Sequence, residues 1–442
     1  MTPSARLAAA IDLLTEIDEA LKHRGAAADQ LIRRYFQQRR YAGSSDRAAI
    51  TDHVYGVIRM RGDYGWRLMS AGLTIEPRTL ALLYLRLNLP VDQPLPADLF
   101  LGTYAIEAPS EDEAARLLRA QGLETPPLDA RLNVPPWLAE RLIHRYGDAT
   151  ETEIEALAGR APLDLRINSL KSSRDDVLAL LADHGFAATK TPYSPLGVRL
   201  ADPVPLKSLP AFGKGLFEIQ DEASQIAALL SGVAPRDQVL ELCAGAGGKT
   251  LALGALMQNK GQIYALDTDK RRLQELKERA DRARLTNLQI HRLTSGAEKR
   301  ADQLYRFHGQ MDLVVVDAPC SGSGTWRRNP ELRWRLDEEF LAEAVALQRS
   351  LLLEAMMLAG PKGRIAYMTC SILGEENEDV IDYALARNDQ WELTDYHRRL
   401  GDVGLADLPE TASHAPEMLQ LTPARHGTDG FFLALLQRCP EV

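Results

Sequence analysis

From residue 238 onward, short apolar runs alternate with amphipathic stretches, and this alternation is what most constrains how the chain folds. The runs at 238–242, 262–266, 287–291, 312–316, 363–368 and 429–436 have the length and apolar content of buried strands. The intervals between the first five carry helical spacing. Buried strands joined by helical crossovers make a parallel sheet with helices on both faces. The expectation is a doubly wound α/β domain over 214–442, with 429–436 closing the sheet as a hairpin partner. Open sheets of this kind do their chemistry in the loops at the carboxyl ends of their strands.

Three such loops carry reactive or glycine-rich sequence. Cys243-Ala244-Gly245-Ala246-Gly247-Gly248-Lys249-Thr250 follows the first run. Asp317-Ala318-Pro319-Cys320-Ser321-Gly322 follows the fourth, and Thr369-Cys370-Ser371 the fifth. The glycine turn is not a P-loop, because Cys243 stands where the first glycine of the phosphate cradle belongs. It is a weak dinucleotide fingerprint, because Thr250 replaces the third glycine. S-adenosylmethionine needs no pyrophosphate cradle, only close backbone approach and an acid for the ribose hydroxyls. Asp267, twenty residues after Gly247, has the spacing for that acid. The bland reading of a free cysteine is a small buried apolar residue. It suits Cys439 and is an open alternative for Cys243.

The amino-terminal 130 residues read as all-α. Ile11, Leu14, Ile17 and Leu21 mark one amphipathic stripe, and further helical stretches fall near 28–40, 45–59, 63–72, 77–87 and 110–121. A proline-rich linker covers 125–136. Residues 131–213 then read as a linker helix and a small α+β module, with helices near 137–146 and 150–159. In that module a strand-like run at 163–168 precedes a helix near 173–185 and strand-like pieces within 186–201. The net charge of −9 disfavours a generic nucleic-acid binder. Yet between Lys22 and Arg67 ten basic residues face four acids, which suits a local phosphate-binding surface. Four cysteines without close pairing, no signal peptide and no apolar run of about 18 residues lead to the expectation of a cytoplasmic protein.

The three loops together resemble those of the Nol/Nop/Sun family of RNA cytosine-5 methyltransferases. Gly215-Leu216-Phe217-Glu218-Ile219-Gln220-Asp221 is similar to the family's segment before the cofactor turn. Arg327-Arg328-Asn329-Pro330-Glu331 with Trp334, then Glu375-Glu376-Asn377 and Asp429-Gly430-Phe431-Phe432, are similar to later family segments. The resemblance covers roughly 134–437. The helical amino-terminal region, with Arg40-Tyr41-Ala42-Gly43-Ser44-Ser45-Asp46-Arg47, resembles the NusB-like RNA-binding domain of the bacterial 16S ribosomal RNA branch. Pro162 to Lys171 resembles that branch's small RNA-recognition-like insert. There are departures. Gly245 and Ala246 replace the family's Ala-Pro, and Glu241 stands where Asp is usual. After the third strand, Arg292-Leu293-Thr294-Ser295-Gly296 offers hydroxyls where the family has an acid for adenine.

The resemblance implies a Rossmann-like S-adenosylmethionine-dependent methyltransferase domain preceded by an all-α domain and an α+β insert. It implies methylation of C5 of a cytosine in RNA, with 16S ribosomal RNA the first expectation. Transfer RNA as substrate, or a non-catalytic RNA-binding assembly factor, are the alternatives. By the same resemblance Cys370 is the nucleophile, Cys320 assists product release and Asp317 contacts N3 of the base. Cys243 through Lys249, Asp267 and Asp317 line the cofactor. Arg33, Arg34, Arg39, Arg40, Arg47, Arg166 and Asn168 are the expected RNA grips. A monomer without metal or membrane partners is expected.

Overall fold

The computed structural model describes residues 1–202, 204–294 and 296–439. It divides into two compact units: Met1–Ala158 with Trp326–Asp337, and Gly159–Thr325 with Glu338–Val442.

The first unit is helical. Its long elements are Pro3–Lys22, Ala28–Gln38, Ser44–Arg59, Arg61–Ser70, Pro77–Leu87, Glu111–Gln121, Pro136–Tyr146 and Thr150–Ala158. Local chemistry sets their starts. Thr2 accepts from Ala5 N, Ser110 accepts from Glu113 N, and prolines occupy the first turn at Pro77 and Pro136. Leu13, Leu14, Ile17, Ile50, Ile58 and Leu68 are fully buried in one core. Each such side chain contributes about 1.5–3 kcal/mol by leaving water.

Residues 326–337 are far away in sequence but belong to this unit. Arg333 is completely buried, 4.8 Å over the Trp326 ring, and donates to the carbonyls of Asn133 and Leu157. Trp334 Nε1 donates to Ile58 O at 3.1 Å. Ala27 gives the helix Ala28–Gln38 no side-chain cap, and Glu331 Oε1 accepts the Ala28 N–H at 3.3 Å instead.

The second unit holds two sheets. The smaller is antiparallel, with β1 (Leu163–Ile167), β2 (Ala188–Lys190), β3 (Gly197–Leu200) and β4 (Phe217–Ile219) in the order β2-β3-β1-β4. The helix Arg174–Asp183 packs on it, burying Val177 and Leu181 with Leu165, Ile167, Val198 and Phe217. This α+β module therefore runs past the expected boundary at 213. The helices Pro136–Tyr146 and Thr150–Ala158 group with the helical unit instead.

The larger sheet contains β5 (Gln238–Leu242), β6 (Gln262–Asp267), β7 (Leu288–Arg292), β8 (Met311–Asp317), β9 (Ala359–Thr369), β10 (Trp391–Thr394), β11 (Leu419–Leu421) and β12 (Phe431–Arg438). Their order is β10-β12-β9-β8-β5-β6-β7, with β11 also pairing β12. Strands β5 to β9 are parallel neighbours, as the periodicity predicts. The last run is an antiparallel hairpin partner of β11, as expected, but it does not close the sheet. β12 lies between β9 and β10, antiparallel to both, so the sheet is mixed and its edge on that side is β10. The order of the parallel strands reverses between β5 and β8, and the cleft above such a reversal is where α/β sheets bind ligands.

Candidate active site

The glycine turn leaves β5 with three residues in the left-handed region: Cys243 at φ 61°, Gly245 at 57° and Gly247 at 82°. At Gly247 a side chain is excluded twice, by its φ and because a Cβ would come within 2.1 Å of Leu276 Cδ1. Ala244 is buried, Gly247 N donates to Ala244 O, and Gly248 opens the helix Gly248–Leu256. Asp267 ends β6 and accepts from Gly245 N and Asp269 N, both at 2.8 Å. Its carboxylate therefore stands beside the turn with lone pairs still free for hydroxyl donors. The hydroxyl-rich stretch after β7 is only partly visible. Thr294 bonds Gln303, and Ser295 lies outside the described residues.

Beneath the turn, Glu241 is buried on β5 and accepts from Thr250 Oγ1 at 2.5 Å. Burial lifts its carboxyl to about 8, against the opposing effect of the Thr250 hydrogen bond. Cys243 is also shifted by burial, and secondarily by the Asp267 charge, to about 12. It is therefore a protonated, unreactive thiol at neutral pH.

Asp317, at the end of β8, pairs with Lys249 Nζ at 2.7 Å, which ties the glycine turn to the first cysteine loop. The Lys249 ammonium also lies 4.7 Å from the Phe431 ring centroid. Strands β8 and β9 are neighbours, with Asp317 beside Met368, so the loops that follow them are adjacent. Cys320 Sγ and Cys370 Sγ stand 3.4 Å apart. The hydrogen bond to Cys370, followed by burial, pushes the Cys320 thiol well above the usual range. Either sulfur can donate across this contact, and the shift favours the protonated form of Cys320.

The two loops are knitted by short contacts. Gly324 N donates to Cys370 O at 2.9 Å, and Gly430 N donates to Gly324 O at 2.8 Å. A Cβ on Gly324 would lie 2.0 Å from Gly430 O, so only glycine allows this approach. Ser321, Ser323, Ser371 and Glu376 form a buried polar network behind the cysteines. Sequence reasoning missed this network, although a serine directly after each cysteine was its visible trace.

The expected RNA grips divide. Arg33, Arg34 and Arg40 are exposed on and just after the helix Ala28–Gln38. Arg39 stacks 3.7 Å from the Tyr35 ring, and Arg47 lies 5.5 Å from Phe36 while donating to Ala42 O. Arg33 faces Asp29 at 3.9 Å, and several other bases in the 22–67 segment are matched within the unit: Lys22 by Glu19, Arg24 by Asp337, Arg61 by Asp18 and Arg67 by Asp63. Arg166 and Asn168 require correction, because both are buried. Arg166 donates to Gln220 Oε1 and Gly248 O at 2.6 Å, and Asn168 Nδ2 donates to Gly215 O and Ala283 O. Arg166 braces the α+β module against the glycine turn and Asn168 braces it against the end of the helix Lys270–Ala283, rather than presenting a surface.

No helix among the described residues is long and apolar enough to cross a membrane, and no cluster of metal-ligating side chains is found among them.

Comparison with known proteins agrees with this architecture. Residues 228–437 match the family model of the 16S rRNA methyltransferase RsmB/F, and residues 134–207 match its ferredoxin-like domain. A probable ribosomal RNA small subunit methyltransferase B from Synechocystis is 33% identical over 70% of this chain and 68% of its own. The ribosomal RNA small subunit methyltransferase B of Salmonella newport is 30% identical over 88% of this chain and 90% of its own. A methyltransferase homolog protein from Pyrococcus horikoshii superposes with a TM-score of 0.60 at 28% identity, covering 70% of this chain and 97% of that one. The fold, the loops at its carboxyl edge and these relatives together place the chain in the RsmB/F family of ribosomal RNA small subunit methyltransferases.

Proposed function

We propose that the chain transfers a methyl group from S-adenosylmethionine to C5 of a cytosine in 16S ribosomal RNA, through a transient covalent bond between Cys370 and C6. The observation that carries this reading is the 3.4 Å approach of Cys320 and Cys370 at the ends of adjacent strands, beside an Asp317 paired to the glycine turn. The turn fits the cofactor: Gly245 takes a left-handed φ that glycine tolerates best, and Asp267 stands beside it for the ribose hydroxyls.

Bound S-adenosylmethionine supplies an electrophilic methyl group, and the chain's residues must make C5 nucleophilic. The Cys370 thiolate adds to C6, forming a carbon–sulfur bond. As the ring loses its aromaticity, a proton passes from the Lys249 ammonium, 2.7 Å away, through Asp317 to N3, leaving Lys249 neutral until N3 gives the proton back along the same path. C5 is now enamine-like and takes the methyl group.

Once the Cys370 sulfur is bound to C6, it no longer holds the Cys320 proton. The largest cause of the raised Cys320 pKa is then gone. Cys320 passes its proton to solvent water, and the thiolate so formed accepts the C5 proton. The electron pair left behind restores the C5–C6 double bond and expels the Cys370 thiolate, while N3 returns its proton to Asp317. The target base must be unpaired or flipped out for either sulfur to reach it. The exposed Arg33, Arg34 and Arg40 of the helical unit are the candidates for phosphate contacts with the RNA.

The test is methyl transfer from labelled S-adenosylmethionine to unmodified small-subunit ribosomal RNA, followed by digestion to nucleosides. Label in 5-methylcytidine supports the reading. Label in another nucleoside refutes the C5 assignment, and label only with transfer RNA moves the substrate.

A further inference from the structure

Behind the cysteines lies a carboxylate that the proposed reaction does not use. Glu376 is completely buried, in the short helical turn Gly374–Glu376 after β9. Its two oxygens accept four hydrogen bonds. Oε1 takes Ser321 N at 2.7 Å and Gln348 Nε2 at 3.0 Å. Oε2 takes Ser321 Oγ and Ser371 Oγ, each at 2.5 Å. Ser321 directly follows Cys320, and Ser371 directly follows Cys370. One carboxylate therefore grips the residue after each cysteine.

The carboxylate is itself held on other sides. Gln348, from the helix Glu338–Leu358, also donates to Pro319 O at 2.8 Å, on the other side of Cys320. Tyr367 OH donates to Glu376 O at 2.7 Å. Ser323 Oγ bridges to Ser371 Oγ at 2.9 Å and accepts Ile372 N at the same distance. A buried carboxyl group is costly unless its oxygens are hydrogen-bonded, and here the groups that satisfy it come largely from the two cysteine loops. Oε2 alone meets both loops through the two serine hydroxyls, and Oε1 adds the Ser321 N–H and Gln348.

We propose that Glu376 is a positioning residue that fixes the separation of Cys320 and Cys370 by clamping Ser321 and Ser371 on one carboxylate. The inference rests on the proposed function only in assigning both cysteines to one reaction; the clamp itself is a statement about geometry. Glu376→Gln keeps the volume but gives up one acceptor oxygen, and its amide must donate where the carboxylate accepts. The serine hydroxyls then reorient and the loops lose their common anchor. Ser371→Ala removes one arm of the clamp without touching Glu376.

The experiment measures how readily the two sulfurs meet, without RNA or cofactor. Wild type, Glu376→Gln and Ser371→Ala are treated with diamide, which accepts the two electrons released when the thiols form a disulfide. Closure of the Cys320–Cys370 bond is followed by peptide mass mapping, and melting temperature and cofactor binding are recorded alongside. The clamp predicts that closure slows about 10-fold or more in both variants while they remain folded and bind cofactor. It also predicts that kcat for RNA methylation falls with little change in KM, by about 10²-fold for a displacement near 1 Å. Closure at the wild-type rate in folded variants overturns the proposal, because a merely structural Glu376 would lower the melting temperature and leave the sulfurs in place. Should Glu376→Gln not fold, closure in Ser371→Ala decides alone. Slowed closure with no methylation by the wild type would leave the clamp standing and overturn the function instead.

Discussion

Lys249 Nζ sits 2.7 Å from Asp317 Oδ2, so the glycine turn after β5 and the cysteine loop after β8 share an ion pair at the point where the sheet's strand order reverses. Lys249 is largely buried, and its removal leaves Asp317 without its cation. Lys249→Met is expected to lower kcat for methyl transfer by roughly 10²-fold, the scale of a lost proton-transfer partner. Cofactor affinity should change far less. A drop confined to cofactor binding, with kcat intact at saturation, would show that the lysine serves the cofactor and not the base.

Glu241 gives a pH prediction whose sign is fixed by burial. Its carboxyl is lifted from 4.5 to about 8, so the native state keeps a proton that the unfolded chain releases between those values. The native state binds more protons across that window, and this group's contribution to stability falls as pH rises through it. Glu241→Gln mimics the neutral acid and removes the slope. Urea midpoints from pH 5 to 9 should decline less steeply for the variant than for wild type, with the variant relatively more stable at pH 9. Parallel profiles would contradict the assignment.

Arg333 tests the unexpected membership of residues 326–337 in the helical unit. Arg333→Ala removes a fully buried side chain from over Trp326 and strips donors from the Asn133 and Leu157 carbonyls. A loss of roughly 3 kcal/mol or more in unfolding free energy is expected. Circular dichroism should show the helical signal melting earlier. An unchanged unfolding curve would mean that the segment does not support the helices.

The arginines separate into two groups by exposure, and binding can read the difference. Replacing Arg33, Arg34 and Arg40 with alanine should weaken RNA binding. The salt dependence should fall by about one unit of slope for each phosphate no longer neutralised. Arg166→Ala should leave that slope unchanged and lower the stability of the α+β module, because its partners are Gln220 Oε1 and Gly248 O. A reduced slope in Arg166→Ala would return it to the RNA surface.

These contrasts show which features a sequence can reveal. The parallel strands β5 to β9 were legible because most of them carry a short apolar run bounded by turns. The helices of the first 121 residues were legible from their apolar spacing. β10 and β11 have four and three residues, too short for any periodicity. The burial of Arg166 was hidden for another reason. On β1 the alternation of Leu165 and Ile167 with Arg166 looks like one solvated face, yet that face packs toward the glycine turn. The attachment of residues 326–337 to helices three hundred positions earlier has no local signal, since it depends on long-range partners such as Ala28 for Glu331. The cysteine loops were visible as motifs, but the Glu376 clamp that joins them exists only once β8 and β9 are side by side.

The central claim is that Cys370 forms the covalent bond and Cys320 releases it. The direct measurement incubates wild type, Cys370→Ala and Cys320→Ala with 16S ribosomal RNA and labelled S-adenosylmethionine, then separates the products under denaturing conditions. The account predicts free methylated RNA from wild type and no transfer from Cys370→Ala. It predicts a denaturant-stable protein–RNA adduct carrying the label from Cys320→Ala. Turnover by Cys370→Ala, or free product without adduct from Cys320→Ala, would contradict it.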